Sequence, residues 1–206
     1  MDKIKIAVLV SGGGTNFQAL IDAEKKGLLK SGQISLVISN NAIAYALKRA
    51  SEAGIPALTI TKKDCGSQEA FEDALMQALE ENGIELIVLA GFMSILSARF
   101  TSRYEKRILN VHPSLIPSFC GKGFYGLKVH EAALAYGVKV TGATVHYVNE
   151  IPDGGRILLQ KAVPVLPDDT PKTLQKRVME RAEWIILPEA AELVSSQLQK
   201  QKECRQ

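Results

Sequence analysis

Ile4-Lys5-Ile6-Ala7-Val8-Leu9-Val10-Ser11-Gly12-Gly13-Gly14-Thr15-Asn16 is an apolar run ending in three glycines, after which Phe17, Leu20 and Ile21 recur at helical spacing and Gly27 stops the pattern. An apolar run bounded by glycine reads as a strand buried on both faces, and the change of period reads as a helix. Strand, glycine loop and helix in that order open an α/β unit. Glycines let the backbone turn tightly, and the first amides of the helix then point outward with the helix dipole behind them. Gly14, Thr15 and Asn16 therefore have two readings: a cradle for a phosphate, or a tight turn with Thr15 as N-cap. Neither familiar nucleotide fingerprint is present. Phe17 stands where G-x-G-x-x-G needs its third glycine, and no Gly-Lys pair closes the loop as in a P-loop.

The same alternation repeats along the chain. Gln33–Ser39 reads as a second strand, 42–53 as a helix stopped by Gly54, and 56–60 as a third strand. Ser67–Asn82 is an amphipathic helix with Phe71, Leu75 and Leu79 on one face, and 84–90 is a fourth, nearly all-apolar strand. Strands separated by helices require crossovers, hence a parallel sheet covered on both faces. From Thr141 the style changes: 141–148 and 157–165 alternate as strands with no helix between them, which predicts an antiparallel addition. Asp168-Asp169-Thr170-Pro171 then starts a long helix through Leu174, Val178, Ile185 and Ile186, with Pro188 expected to kink or interrupt it. The expected fold is α/β: a Rossmann-like, mostly parallel sheet flanked by helices, with an antiparallel C-terminal strand addition, in one domain over 1–206.

Composition narrows the function. The chain has 206 residues, 46% hydrophobic and 23% charged, with no apolar stretch long enough for a membrane span and no signal-peptide pattern, so a cytoplasmic protein is expected. A net charge of +3 is too small to imply nucleic acid, although it suits small anionic substrates. The three cysteines, Cys65, Cys120 and Cys204, lack metal-ligand spacing, so neither a disulfide framework nor a metal site is indicated. Cys120 reads as a reduced bystander more readily than as a nucleophile, because no recognisable His or Asn pattern serves it.

Arg107-Ile108-Leu109-Asn110-Val111-His112-Pro113-Ser114-Leu115-Ile116-Pro117 carries an apolar run into polar residues that a core would not choose. On an extended chain Asn110 and His112 share a face, and Pro113 disfavours helix at His112, so an amide and an imidazole meet at a strand end. A structural histidine beside a proline is the plainer reading of His112, and an ordinary Asp-Gly turn is the plainer reading of Asp153. Seven residues from Asn149 to Gly155 exceed what a minimal hairpin needs, however, which leaves room to carry a carboxylate into a site. Ligands of parallel sheets gather at the carboxyl ends of the strands, where the glycine loop, the segment Gly91–Leu96 and His112 all fall.

Together, Val10–Asn16, Leu89-Ala90-Gly91-Phe92-Met93, Leu109–Pro117 and Asp153-Gly154-Gly155 resemble the folate-dependent formyltransferase family over nearly the whole chain. The Asn-x-His-Pro-Ser core and the later Asp resemble the family at large. The Ser11–Asn16 start and the compact length are similar to the branch acting on glycinamide ribonucleotide. The resemblance implies transfer of a formyl group from 10-formyltetrahydrofolate to the amine of 5-phosphoribosylglycinamide in purine biosynthesis, with Asn110, His112 and Asp153 as the catalytic residues. It places the substrate phosphate on Gly14, Thr15 and Asn16 and assigns Glu183 to the same substrate, where the residue alone reads as a helix-surface carboxylate. It assigns the folate to Met93, Ser94, Ile95, Leu96, Asn110, Asn149, Glu150, Ile151, Pro152 and Asp153. It implies only small-molecule partners, no metal, and a monomer or homodimer. Amine attack on a formyl group builds negative charge on oxygen, so an Asn110 N–H and a protonated His112 are suitable donors, and Asp153 beside His112 favours imidazolium and accepts a proton. The chain departs from the family pattern at Gln68 and Ser94, which stand where many relatives have Arg, and in a longer segment over 118–126. His130 matches a recurring family histidine.

Two other functions compete. A formyl-folate hydrolase would use the same Asn110, His112 and Asp153 with water in place of the amine. A nucleotide-binding module would use the glycine loop alone; it is disfavoured by the missing third glycine and by a second strand ending Ser39-Asn40, without an acidic residue.

Overall fold

A computed structural model describes residues 2–204. Seven strands, β1 (Ile4–Val10), β2 (Gly32–Ser39), β3 (Ala57–Thr59), β4 (Leu86–Leu89), β5 (Ile108–His112), β6 (Val140–Tyr147) and β7 (Ile157–Pro164), form one sheet in the order β3-β2-β1-β4-β5-β6-β7. Pairing is parallel from β3 through β5 and antiparallel for β5–β6 and β6–β7, the mixed sheet expected from the loss of intervening helices after residue 141. The helices are α1 (Thr15–Lys25), α2 (Tyr45–Ala53), α3 (Lys62–Cys65), α4 (Gln68–Glu81), α5 (Ala98–Arg103), α6 (Leu127–Tyr136), α7 (Pro171–Val178) and α8 (Trp184–Glu203). None of the described helices is long and apolar enough to cross a membrane.

The side-chain period of two on β1 explains the layering. Ile4, Ile6, Val8 and Val10 join one core with Phe17 and Leu20 of α1 and Leu187 and Val194 of α8, while Ala7 and Leu9 join the other with Phe71, Leu75 and Leu79 of α4. A strand with apolar side chains on both faces is stable only between two helical layers. The chain passes from β1 to β2 and β3 on one side and returns to β4 on the other, so the carboxyl ends of β1 and β4 part at a topological switch point. The glycine loop and the segment 91–97 flank that crevice.

Three local expectations are corrected. Thr15 is not the N-cap: Gly14 takes that position with φ 70°, and Thr15 is the first helical residue. Helix α2 begins at Tyr45, later than the sequence pattern suggests. Pro188 lies inside α8, and the interruption comes upstream, as a π turn over Met179–Glu183. The missing N–H and the ring of Pro188 act on the carbonyl four residues earlier, that of Trp184, where the wide turn gives way to regular helix.

Candidate active site

Strand register assembles the site. In the antiparallel β5–β6 pair Asn110 lies opposite His146 and His112 opposite Thr144, so four polar side chains share one face at a strand end. Thr144 Oγ1 donates to the Ser114 carbonyl at 2.7 Å and accepts from the Ile116 N–H at 3.0 Å, which fixes the loop leaving His112. Asp153 reaches the group from the β6–β7 connection with φ 56°, a left-handed conformation that Asp tolerates better than most residues. Its Oδ2 accepts the Gly121 N–H at 2.8 Å and lies 3.4 Å from His112 Nδ1. Its Oδ1 lies 3.5 Å from Asn110 Nδ2 and 3.6 Å from His146 Nε2. Asn110, His112 and Asp153 thus converge as expected, joined by His146. Strand alternation alone puts His146 on one face with Thr144 and says no more of it; the signal that finds it is its pairing opposite Asn110. Gly155 helps hold this turn, since a Cβ there would lie 1.7 Å from the Tyr147 carbonyl oxygen.

His112 is 5% exposed and has both ring nitrogens engaged. Its Nε2 lies 2.8 Å from the carbonyl of Phe119, which can only accept, so Nε2 carries the proton and Nδ1 faces Asp153. Burial pushes the His112 pKa down, the Asp153 charge and the Phe119 carbonyl push it up, and the net result is below the ordinary value. The expectation that Asp153 makes His112 an imidazolium is therefore corrected: desolvation of a charged ring inside the protein outweighs the carboxylate. Burial likewise raises the Asp153 carboxyl, but the adjoining His146 ring, the Gly121 N–H and the nearby His112 outweigh it, leaving its pKa lowered. Near neutral pH the site holds an ionised Asp153 beside a His112 ring that resists protonation. Cys120, between the two loop residues that bind His112 and Asp153, has its thiol pushed up by burial and by Asp153, which disarms it as a nucleophile.

The glycine loop and Glu183 form a second group. Arg49 Nε donates to the Gly13 carbonyl at 2.8 Å and the Ala46 N–H donates to the Gly12 carbonyl at 3.1 Å, so carbonyls of the loop are turned towards α2. The first-turn amides of α1 lack intrahelical acceptors by geometry, which leaves them for an anion. Asn16 Nδ2 donates to Glu183 Oε2 at 2.7 Å, joining two residues 167 apart in sequence. Glu183 is 6% exposed at the end of the π turn, not on a helix surface, and burial pushes its carboxyl up to about 7 against the pull of Asn16. The Asn16 Oδ1 is buried without a partner, so the pair presents an acceptor to any ligand that brings an N–H or O–H.

Beside Asn110, His146 and Asp153 lies a cavity of about 110 Å³ lined also by Ser94, Ile95, Leu96 and 149–152, with Leu89, Phe92 and Val148. Met93 is outside this lining: its side chain is 59% exposed, and its N–H donates to Ser11 Oγ at 2.8 Å, tying the segment to the glycine loop. Gln68 Nε2 donates to the Ile95 carbonyl at 3.1 Å and to Glu72 at 2.8 Å, and Glu72 also takes the Ser97 N–H at 2.7 Å. Gln68 thus braces the loop wall. A far larger cavity, about 950 Å³ between α1 and α8, shares Thr15 with the glycine loop but is lined by none of Asn110, His112, His146 and Asp153. The smaller cavity is the one where carboxylate, imidazole and amide converge, the combination that acid–base chemistry needs.

The sequence profile described as formyl transferase matches residues 4–191. The chain is 48% identical over 195 residues to the trifunctional purine biosynthetic protein adenosine-3 of Gallus gallus, a match covering 95% of this chain and 19% of that protein. It thus spans about a fifth of such multifunctional relatives. It is 43% identical to the phosphoribosylglycinamide formyltransferase of Haemophilus influenzae, covering 89% of this chain and 84% of that one. Among solved structures, the Coxiella burnetii phosphoribosylglycinamide formyltransferase in complex with CHES superposes with a TM-score of 0.87 at 42% identity, covering 95% of this chain and 88% of that one. Since the profile spans every strand and both polar groups at the sheet edge, this chain belongs to the formyl transferase family.

Proposed function

We propose that this protein transfers the formyl group of 10-formyltetrahydrofolate to the amine of 5-phosphoribosylglycinamide, a step of purine biosynthesis. The observation that carries the reading is the meeting of Asn110, His112 and Asp153 at the same carboxyl-end edge of the sheet as the amide-rich glycine loop, to which Asn16 ties Glu183. The cavity walled by Ile95, Leu96 and 149–153 fits one flat face of a pterin with polar backbone at its edge, and the folate supplies an activated formyl group there. Gly14, Thr15 and Asn16 hold the phosphate, and Glu183 with Asn16 takes a polar group of the same substrate. Asn110 offers an N–H to the formyl oxygen, and the His112 Nε2–H that Phe119 now holds is the second donor that oxygen takes over. Asp153 accepts a proton as the amine loses its own, directly or through His112, and a proton passes to the folate nitrogen as its bond to the formyl carbon breaks. A single domain over 1–206 is supported by one sheet whose two faces are both covered, and the three unpaired cysteines support a reducing, cytoplasmic location. No partner chain is needed to complete the site, which suits a monomer or a homodimer with independent centres.

The test is the absorbance change of formyl-folate with and without the ribotide: turnover only with ribotide is expected. Turnover with folate alone would make the protein a hydrolase, and none in either case would leave a binding module. The phosphate assignment has its own probe. A Cβ on Gly14 would lie 2.7 Å from Ala46 Cβ at a φ of +70°, so substitution there perturbs α1–α2 packing, whereas nothing lies within 4 Å of one on Gly13. Gly13→Val is therefore expected to melt like the wild type and to weaken ribotide binding by about tenfold or more, worth about 1.4 kcal/mol, while folate binding is kept. Equal weakening of both ligands in a calorimetric titration would move the phosphate elsewhere.

A further inference from the structure

His146 lies 1% exposed behind the three catalytic side chains, and its hydrogen bonds determine what Asn110 can do. Its Nδ1 lies 2.8 Å from the carbonyl of Tyr147, which accepts only, so Nδ1 carries a proton and, in the singly protonated ring, the lone pair is on Nε2. That lone pair lies 3.2 Å from Asn110 Nδ2. The Asn110 carboxamide has two N–H groups. One is spent on His146, and the second has only the long 3.5 Å approach to Asp153 Oδ1, so it is the one free for a substrate oxygen. A flipped amide would set its carbonyl against the His146 lone pair and the Asp153 carboxylate, three acceptors together, so the NH2 must face inward. Without the ring nitrogen, nothing holds the first N–H, and the amide is drawn onto the Asp153 carboxylate, the stronger acceptor.

We infer that His146 is a positioning residue that anchors one Asn110 N–H so that the other stays aimed at the substrate oxygen. It touches neither reacting group itself. This inference rests on the formyl-transfer reading of the site, because it assigns His146 a share of the donor geometry used there. Its effect is a fraction of what the donor itself supplies, so His146→Phe, which keeps ring volume and removes both nitrogens, lowers kcat by about tenfold, short of the 10²–10³ that loss of a whole oxyanion donor costs. KM for both substrates is unchanged, since the anchored N–H acts on charge that appears only during reaction.

The experiment is a double-mutant cycle of His146→Phe with Asn110→Ala, with His146→Gln as the conservative variant, whose carbonyl oxygen reaches the place of Nε2. The expected result is a kcat loss for Phe, recovery of most of it for Gln, and no additional loss from His146→Phe when Asn110 is already alanine. The same loss in the Asn110→Ala background, or an undiminished kcat in His146→Phe, overturns the inference. The side-chain amide resonances of Asn110 in the ligand-free protein supply a readout that needs no activity: they shift in His146→Phe and return towards their original position in His146→Gln. If the wild type proved inactive in formyl transfer, that would defeat the functional reading alone, and unmoved Asn110 resonances would still defeat this one separately.

Discussion

Asn110→Ala is expected to lower kcat by about 10²–10³, the scale for removing one oxyanion donor, with KM for both substrates little changed. The size follows from where the amide sits. Asn110 is only half-buried, faces the cavity, and has one N–H without a short partner in the protein, so its deletion removes something the reaction uses more than something the fold uses. The structural cost is the loss of one hydrogen bond to His146, about 1 kcal/mol, which in a chain of this size shifts Tm by roughly 2–4 °C. Turnover assays and a thermal melt on the same preparation separate the two effects. A variant that loses many degrees while keeping its kcat would show Asn110 to be a structural amide tying β5 to β6.

What the chain reveals on reading and what it conceals divide along a physical line. Strands buried on both faces are near-continuous apolar runs, so β1, β2, β4 and the alternation that makes the sheet parallel are visible from local composition. Asn110 and His112 are visible because strand periodicity is local too. His146 is hidden from local reading, because its place in the site depends on a cross-strand register 36 residues away, and no local pattern carries that pairing. Glu183 reads as a surface carboxylate because helical periodicity assumes regular turns; the π turn at 179–183 shifts the phase and swings it inward onto Asn16. Thr15 reads as an N-cap by residue type, yet Gly14 takes the place, because α2 packs so close that Ala46 leaves no space for a side chain there. The net direction of the His112 pKa is not legible in the sequence, because charge proximity follows from the residues while burial is a property of the whole fold.

Asp153→Asn is expected to fold normally, bind both substrates, and lose at least about 10²-fold in kcat, the lower end of general acid–base contributions. Asn tolerates the left-handed backbone at φ 56°, and its amide oxygen still accepts the Gly121 N–H, so the turn keeps its shape. What disappears is the negative charge 3.4 Å from His112 Nδ1. In the wild type, burial lowers the His112 pKa and Asp153 is the leading influence raising it. With the carboxylate gone, burial acts with less opposition and the His112 pKa falls further below its ordinary value, so the ring carries a proton only in more acidic solution. The ring is then a weaker proton acceptor, and the carboxylate is lost as an acceptor as well, two deficits that fall on the chemical step and leave binding intact. The acidic limb of the kcat profile should move to lower pH along with the His112 resonances in an NMR titration. A variant with near-normal turnover and an unmoved His112 titration would reduce Asp153 to a turn residue whose carboxylate does no more than hold Gly121.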